Sequence, residues 1–389
     1  MDPIIALLEE LVAIDSVNPS LVPGARGEAE IARRVVLECL ALGLAVDVTE
    51  VAPGRPNVVA VLDGREPGPV LMFCGHLDTV GVSGMARPFE PEQRDGRLYG
   101  RGAQDMKGGV AAMLGAARQL VETGGLARGR LIVAAVVDEE HASIGAEALA
   151  GRWRADAAVV TEPTDLDIAV AHKGFEWIEV ETRGRAAHGS RPREGRDAIL
   201  RMGRVLGRLE TLDRQLQSTP MHPLLGTASL HASTVTGGRE LSSYPDRCTL
   251  QVERRTLPGE PVGAGCQEVE AILVALRRDD EEFEGDARLL FAREPYAIEP
   301  SHPLPDTLAR AAASTGCTPR RIGMSFWTDA AILGAAGIPS ILFGPGGAGL
   351  HSAEEYVRVD DVCRCRDALA ALARAFTDSG DGDAKNRKA

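Results

Sequence analysis

The sequence lacks the features that mark membrane proteins, nucleic-acid-binding proteins and disulfide-stabilised secreted proteins. It contains no apolar run close to the roughly 18 residues that a membrane span requires. The N-terminal segment MDPIIALLEELVAID has neither the basic region nor the small-residue cleavage site of a signal peptide. The net charge of -13 disfavours nucleic acid, whose backbone repels an acidic surface, and the odd count of 7 cysteines disfavours a disulfide framework. We therefore expect a cytoplasmic protein with no membrane or nucleic-acid partner.

Two parts of the chain have the hydrophobic pattern of an α/β fold. Up to about residue 172, and again after Pro295, short apolar runs alternate with helical patterns. This alternation is typical of a mostly parallel sheet that is buried on both faces. The predicted strands are 57–62, 70–74, 131–137, 157–161 and 340–343, and the predicted helices are 27–42, 107–122, 304–315 and 361–376.

The segment between these two parts has a different pattern. Residues 173–183 alternate between apolar and polar, which indicates a half-exposed strand. The order of elements that follows predicts a ferredoxin-like α+β unit, inserted as a lid into the α/β domain. The predicted boundaries are 1–172 and 294–389 for the catalytic domain and 173–293 for the lid, and the polar tail from about 378 to 389 is expected to be disordered.

Polar segments follow several of the predicted strands or open a predicted helix. Because the carboxyl ends of parallel strands meet at one edge of a sheet, these side chains should converge. Several carboxylates in one place repel each other, and divalent metal ions offset that repulsion. Two imidazoles with three carboxylates suit zinc, with cobalt or manganese as alternatives. The segments contain His76 and Asp78, Asp105, Glu139 and Glu140, Glu162, and His351.

The spacing within two of these segments suggests which residues bind metal and which act on the ligands or on water. In His76-x-Asp78, one imidazole nitrogen can bind metal while a carboxylate accepts the proton of the other nitrogen. In the Glu139-Glu140 pair, one carboxylate can bind metal while the other acts as a general base towards a metal-activated water.

The motifs that carry these residues resemble the M20 metallopeptidases, which include acetylornithine deacetylases, succinyl-diaminopimelate desuccinylases, aminoacylases and carboxypeptidase G2. The motifs occur in the family's order and span nearly the whole chain. They are GHLDTV (75–80), GRGAQDMKGG (100–109), DEEHASIGA (138–146), TEPT (161–164), AAHGSRP (186–192), ERRTLPGE (253–260), WTDAAIL (327–333) and FGPGGAGLHSAEEYV (343–357).

The resemblance implies a role for each of the converging residues. Asp105 is expected to bridge two metal ions. His76 and Glu162 would complete the protein ligands of one ion, and Glu140 and His351 those of the other. Glu139 would then be the general base, and Asp78 would orient His76.

The resemblance also implies roles in the lid and a homodimer formed through it. His188 is expected to stabilise the oxyanion, in the partner subunit's site in dimeric relatives, and Arg255 to bind a substrate carboxylate. The alternatives are hydrogen bonding within the lid for His188 and an ion pair within the lid for Arg255. Gly346 and Gly347 would offer backbone N–H groups to the substrate. Ser242 stands where many relatives have Asn, so a shorter hydroxyl side chain would replace the amide in the contact with the substrate.

The predicted function is hydrolysis of the amide bond of an N-acyl amino acid, in the manner of acetylornithine deacetylase. A dipeptidase or carboxypeptidase of the same family is the alternative. Two rivals belong to other classes. A catalytically silent metal-binding member would have no need of Glu139. A nucleotide-binding oxidoreductase is suggested by GPGGAG at 344–349, but that motif requires a helix to begin within the loop.

Overall fold

The computed structural model describes residues 2–378, which form two compact units. The first unit contains the chain up to Val170, Ile298–Ile322 and the chain from Thr328 onward. The second contains Ala171–Ala297 and Gly323–Trp327. Of the predicted disordered tail, Asp378 ends the last helix, and the remainder lies outside the described residues. None of the helices within 2–378 is long and apolar enough to cross a membrane.

The first unit is built on a sheet that is parallel at its centre and antiparallel towards both edges. Parallel pairing joins β3 (Glu66–His76) to β6 (Arg128–Val136) and to β7 (Ala157–Val160), and joins β7 to β15 (Ser340–Leu342). The strands β1 (Ala45–Ala52) and β2 (Arg55–Asp63) continue the sheet beside β6 in antiparallel pairing. The mostly parallel α/β fold predicted from the sequence is thus confirmed. The prediction missed β1, whose residues are only half buried or exposed.

Within residues 2–378, seven α-helices accompany this sheet, besides a single π-helical turn at Ala103–Lys107 that contains Asp105. The first α-helix begins for reasons that are visible in the sequence. The Asp2 side chain accepts a hydrogen bond from the Ile4 N–H, and Pro3 supplies a preset backbone angle at the first helical position. The helices are α1 (Pro3–Ala13), α2 (Ala29–Ala41), α3 (Gly108–Glu122), α4 (Ile144–Arg152), α7 (Leu304–Ser314), α8 (Ala330–Ala335) and α9 (Val359–Asp378).

A small antiparallel sheet lies beside the polar loops of the first unit. It contains β4 (Glu92–Arg94), β5 (Arg97–Tyr99), β16 (Gly347–Ala348) and β17 (Tyr356–Arg358), in the order β16-β17-β5-β4. Strands of two or three residues have too little sequence pattern to be predicted. The sheet joins the segment before Asp105 to the segment around His351.

The second unit has the predicted ferredoxin-like order of elements. Its four main strands are β9 (Gly174–Arg183), β10 (Ser229–Gly237), β11 (Arg247–Thr256) and β12 (Glu284–Arg293), paired antiparallel in the order β10-β11-β9-β12. The helices α5 (Ala198–Ser218) and α6 (Ala264–Asp279) cover one face, where Ile178, Leu250 and Val269 belong to the core. The opposite face carries the alternate residues of each strand.

Shorter strands complete the description of the chain. The strand β8 (Ile168–His172) runs from the first unit into the second, and β13 (Tyr296–Ala297) pairs with its last two residues. The strand β14 (Arg321–Met324) also pairs with β8.

A buried histidine lies at the end of β8. His172 is 1% exposed, and burial lowers the pKa of its imidazole to about 4. Its Nδ1 lies 3.0 Å from the Lys173 carbonyl oxygen, so Nδ1 is the donor in the neutral ring. Its Nε2 has no hydrogen-bond partner within the described part of the chain. A proton on Nε2 would therefore place an uncompensated charge in the interior.

We expect His172 to make the stability of the metal-free protein depend on pH. The folded-state pKa lies below the unfolded value of 6.5, so the unfolded chain takes up the proton first as the pH falls. The contribution of His172 to the free energy of unfolding should be constant above about pH 6.5. It should decrease between about pH 6.5 and 4, by roughly 3 kcal/mol in total. Chemical denaturation across this range should show that His172→Phe loses that component. A difference between wild type and variant that is constant with pH would contradict the prediction.

Candidate active site

The polar residues singled out in the sequence lie at one edge of the central sheet. His76 is the last residue of β3, Asp138 to Glu140 follow β6, and Glu162 follows β7. The register of the parallel pairs aligns Cys74 with both Ala134 and Val160, so the three strands end side by side. The convergence that the sequence predicted is therefore present.

One group of ligand atoms is centred on His76, Glu139 and Glu162. One atom from each residue lies within 4.8 Å of the others. The His76 Nε2 is 3.8 Å from Glu162 Oε1 and 4.0 Å from Glu139 Oε2. The three side chains are nearly buried, so their charges are weakly screened by solvent.

A second group contains His76, Asp105 and Glu140, whose ligand atoms also lie within 4.8 Å of one another. His351 adjoins this group, with its Nε2 3.2 Å from both Asp105 Oδ2 and Glu140 Oε2. The other oxygen of Asp105, Oδ1, is 3.1 Å from His76 Nε2. The Asp105 carboxylate thus lies between the two imidazoles, as a carboxylate shared by two ions would.

The electrostatics of these groups favour positive charge in the site. Burial and the neighbouring carboxylates raise the pKa of Glu139 and of Glu162 well above the usual range. Burial and the charge of Asp105 raise the pKa of Glu140 to about 7. Hydrogen bonds to Asp105 and Glu140 raise the pKa of His351 to about 10. Each raised pKa means that a bound proton is favoured, because it balances the negative charge of the clustered carboxylates. A bound metal cation would balance the same charge.

The donor set fits divalent metal ions. Glu140 Oε1 is buried and has no hydrogen-bond partner among residues 2–378, which is costly for a carboxylate oxygen unless a cation contacts it. Imidazole nitrogens and carboxylate oxygens are zinc ligands in proteins.

Asp78 holds both His76 and the Glu139-Glu140 pair. The His76 Nδ1 lies 3.0 Å from the Asp78 backbone oxygen and 3.5 Å from the carboxylate Oδ1, so the nearer acceptor is the carbonyl group. The carboxylate accepts the backbone N–H groups of Glu139 and Glu140, each at 3.1 Å. The sequence pattern predicted contact through the carboxylate and did not predict this second function.

A buried polar network behind the site was missed in the sequence. The Asn18 side-chain N–H donates to Asp78 Oδ2 at 2.8 Å and to Asp138 Oδ1 at 3.0 Å. The Arg55 Nη1 donates to the same Asp138 oxygen at 2.7 Å, and the Arg55 guanidinium pairs with the buried Glu28. The network fixes the loop that carries Glu139. No pattern in the sequence connects these residues, since they come from four separate segments.

Glu355 supports Asp105 in a similar way and was also missed. Its carboxylate accepts the backbone N–H groups of Gly102, Gln104 and Asp105 at 2.9, 2.9 and 3.1 Å. The Arg101 Nη1 donates to it at 2.7 Å. Glu355 is 1% exposed, so these four bonds satisfy a carboxylate that is out of contact with water.

His188 and Ser242 are neighbours in the second unit. His188 forms an isolated β-bridge with Ser243, and the Gly189 N–H donates to the Ser242 carbonyl oxygen at 2.7 Å. The side chain of His188 is exposed, and its Nδ1 lies 2.8 Å from Ser190 Oγ.

Arg255 is engaged within the second unit. Its Nε lies 2.7 Å from Glu253 Oε1, and its guanidinium lies over the Phe175 ring at 5.4 Å from the ring centroid. The ion pair that was the alternative reading of Arg255 is therefore present. A substrate carboxylate would have to share or displace Glu253.

The glycine loop contains the two backbone N–H groups that were expected to meet the substrate. The Gly346 N–H donates to Asp361 Oδ2 at 3.2 Å. Gly347 lies in β16, paired with Val357. After this loop the next helix begins at Val359, so no helix opens within residues 344–349 as a dinucleotide site requires. The oxidoreductase hypothesis fails on this geometry.

Comparison with known proteins agrees with this site. Residues 72–375 match the family described as Peptidase family M20/M25/M40. An acetylornithine deacetylase from Myxococcus xanthus is 34% identical over 331 residues, which cover 83% of this chain and 84% of that protein. An N-formyl-4-amino-5-aminomethyl-2-methylpyrimidine deformylase from Bacillus subtilis is 28% identical over 354 residues, covering 82% and 83%.

The fold has close counterparts among solved structures. Aminopeptidase PepT from Bacillus cereus superposes with a TM-score of 0.80 at 20% identity, over 96% of this chain and 98% of that one. The chain belongs to peptidase family M20/M25/M40 and is a metal-dependent hydrolase of linear amide or peptide bonds.

We expect Asn18→Asp to lower metal affinity and turnover, although Asn18 is not one of the proposed metal ligands. The change replaces two N–H donors with a third carboxylate facing Asp78 and Asp138. Loss of such a supporting contact typically lowers metal affinity or turnover about 10- to 100-fold. Metal affinity can be measured by competition with a chelator, and turnover by amine release.

Asn57→Asp is the matched control, because Asn57 is also a buried asparagine, and among residues 2–378 its side chain bonds to the backbone of Val137 and Gly145 rather than to a carboxylate. Both variants should lower the melting temperature. Equal losses of metal affinity in the two would show that Asn18 has no particular link to the site.

Proposed function

We propose that the protein uses two zinc ions to hydrolyse the amide bond of N-acyl amino acids, in the manner of an acetylornithine deacetylase. The observation that supports this most directly is the Asp105 carboxylate, whose two oxygens lie 3.1 and 3.2 Å from two different imidazoles. Cobalt and manganese are alternatives to zinc, since they accept the same ligand types.

Each ion would be held by one imidazole and one glutamate besides Asp105. His76 and Glu162 would hold the first ion, and Glu140 and His351 the second. When bound, the ions would supply positive charge to polarise the amide carbonyl and to lower the pKa of a water towards about 7.

Glu139 is the general base in this proposal. Glu140 is occupied by His351 at 3.2 Å, whereas the carboxylate of Glu139 lies 4.0 Å from its nearest imidazole nitrogen, on His76. The Asp78 carboxylate accepts the backbone N–H groups of both residues and so positions the pair. Glu139 would take the proton of the attacking water and then deliver it to the leaving amine.

Arg255 would bind the carboxylate of the substrate. A planar guanidinium can donate two hydrogen bonds to a carboxylate, and the contact of Arg255 with the Glu253 carboxylate supports this role. The relative named as an acetylornithine deacetylase supports deacylation. The structural counterpart named as an aminopeptidase keeps dipeptidase or carboxypeptidase action as the second candidate.

The second unit would act as a lid and as the dimer contact of a cytoplasmic homodimer. Its edge strand β10 is exposed over nearly its whole length. Two apolar side chains here are exposed: Val235 on β10 at 59% and Leu200 on α5 at 71%. An exposed edge strand without charge is a site for pairing with another chain. In such a dimer His188 would donate a hydrogen bond to the oxyanion in the partner subunit's site.

Replacing the base should separate turnover from metal binding. Glu139→Ala is expected to lower the kcat for N-acetylornithine or another hydrolysed N-acyl amino acid by about 100- to 10,000-fold, the usual contribution of general acid–base catalysis. Two metal ions per chain should still be found by elemental analysis. Glu122→Ala, which alters an exposed glutamate of α3, is the matched control. Loss of both ions, or turnover close to wild type, would contradict the role given to Glu139.

Subunit mixing can test the position of His188. His188→Ala and Glu139→Ala should each be nearly inactive. If His188 acts in the partner's site, heterodimers of the two variants contain one site with both groups intact, and mixing should restore up to about half of the activity per heterodimer. Mass spectrometry can confirm that subunits have exchanged. Exchange without any recovery would place His188 in the site of its own chain.

A further inference from the structure

The face of the second unit's sheet opposite its helices is divided into two halves. One half lies near Arg183, the last residue of β9, and Glu284, the first residue of β12. This half carries ion pairs. Arg288 lies 2.7 Å from Glu179, and Arg183 lies 2.6 Å from Asp286. Charges of opposite sign neutralise each other across these strands, so this half offers little to a ligand.

The other half is a cluster of four aromatic rings, which we call the aromatic patch: Phe175, Trp177, Phe291 and Trp327. Ring centroids are 5.3 Å apart for Phe175 and Trp177 and 5.5 Å apart for Trp177 and Phe291. Trp327 meets Phe175 edge-on at 6.5 Å. Trp177 is 41% exposed, although a residue this apolar gains from burial. The patch is therefore a preformed surface for a planar apolar group.

Cations border the aromatic patch. Arg255 lies over Phe175 at 5.4 Å, and Arg293 lies over Phe291 at 4.9 Å and over Trp327 at 5.3 Å. Lys173 is close enough to Arg255 that burial and the Arg255 charge lower its pKa. The Glu253 carboxylate pairs with Arg255 and accepts the Trp177 indole N–H at 3.0 Å. In a chain of net charge -13, the positive charges of Arg255 and the neighbouring Lys173 complement an anion attached to a ring.

We propose that the aromatic patch binds the side chain of an aromatic N-acyl amino acid whose carboxylate is held by Arg255. The inference rests on the proposed function, in which Arg255 binds the substrate carboxylate. Arg255 is in contact with the ring of Phe175, so a carboxylate bound there places the side chain of an amino acid beside the patch. A cationic side chain such as that of ornithine is disfavoured, because Arg255 and Arg293 already occupy ring faces and would repel it.

The test compares three substrates on the metal-loaded enzyme: N-acetylphenylalanine, N-acetylleucine and N-acetylornithine. We expect kcat/KM for the phenylalanine substrate to exceed that for ornithine by about tenfold or more, which corresponds to about 1.4 kcal/mol. Trp177→Thr should remove most of this preference. Phe291→Thr tests the same patch if Trp177→Thr fails to fold.

Binding can be followed without turnover in the inactive Glu139→Ala protein. Titration with N-acetylphenylalanine should change the tryptophan fluorescence, and Trp177→Thr should abolish most of that change. Trp153→Phe is the matched control, because Trp153 lies in the first unit at the end of α4 and should leave the change intact.

The outcomes separate this inference from the proposed function. Hydrolysis of all three substrates at similar kcat/KM, with Trp177→Thr lowering them equally, would overturn the inference and leave the function standing. Loss of the dimer in Trp177→Thr would also overturn it, since the patch would then serve assembly. Fluorescence binding without hydrolysis of any substrate would support the inference and overturn the proposed reaction.

Discussion

Asp105, Glu139, Glu140 and Glu162 bring four carboxylate groups into one largely buried space, where like charges repel strongly. Two like charges about 4 Å apart repel by roughly 4 kcal/mol at an effective dielectric constant of about 20. They form two groups that both include His76, and the ligand atoms of each group lie within 4.8 Å of one another. The backbone must therefore be rigid enough to keep the carboxylates from moving apart. The parallel strands β3, β6 and β7 supply that rigidity, because their ends are fixed by hydrogen bonds on both sides. Cations then stabilise what the sheet has assembled.

Two further carboxylates act on the backbone around the site. Asp78 accepts the N–H groups of Glu139 and Glu140, and Glu355 accepts that of Asp105. Asp138 has a φ of 70°, a backbone conformation that costs free energy in a residue other than glycine. Arg55 and Asn18 hold it there by hydrogen bonds to its carboxylate. The loop that directs Glu139 is thus held in place by its neighbours and would not adopt this shape alone.

The sequence predicted which polar residues converge at the sheet edge, and it did not predict the residues that hold them in place. His76, Glu140 and Glu162 each follow an apolar strand, and the geometry of a parallel sheet brings strand ends together whatever the details. Asn18 lies 60 residues from Asp78 along the chain, and Arg55 lies 83 residues from Asp138. No local pattern encodes such pairs. The engagement of Arg255 was open to prediction, since Glu253 is two residues away on a strand and therefore on the same face.

The position of Glu355 in the chain has a consequence for biosynthesis. It lies 250 residues after Asp105, whose loop it holds, and His351 is made only shortly before it. A nascent chain that has not yet reached these residues can form β3, β6 and β7 but still lacks one imidazole and the acceptor for the Asp105 loop. Chains fold from the N-terminus as they emerge from the ribosome. The catalytic centre can therefore be completed only after Glu355 has been translated, and a chain terminated before it would present clustered carboxylates without all of the groups that hold the Asp105 loop.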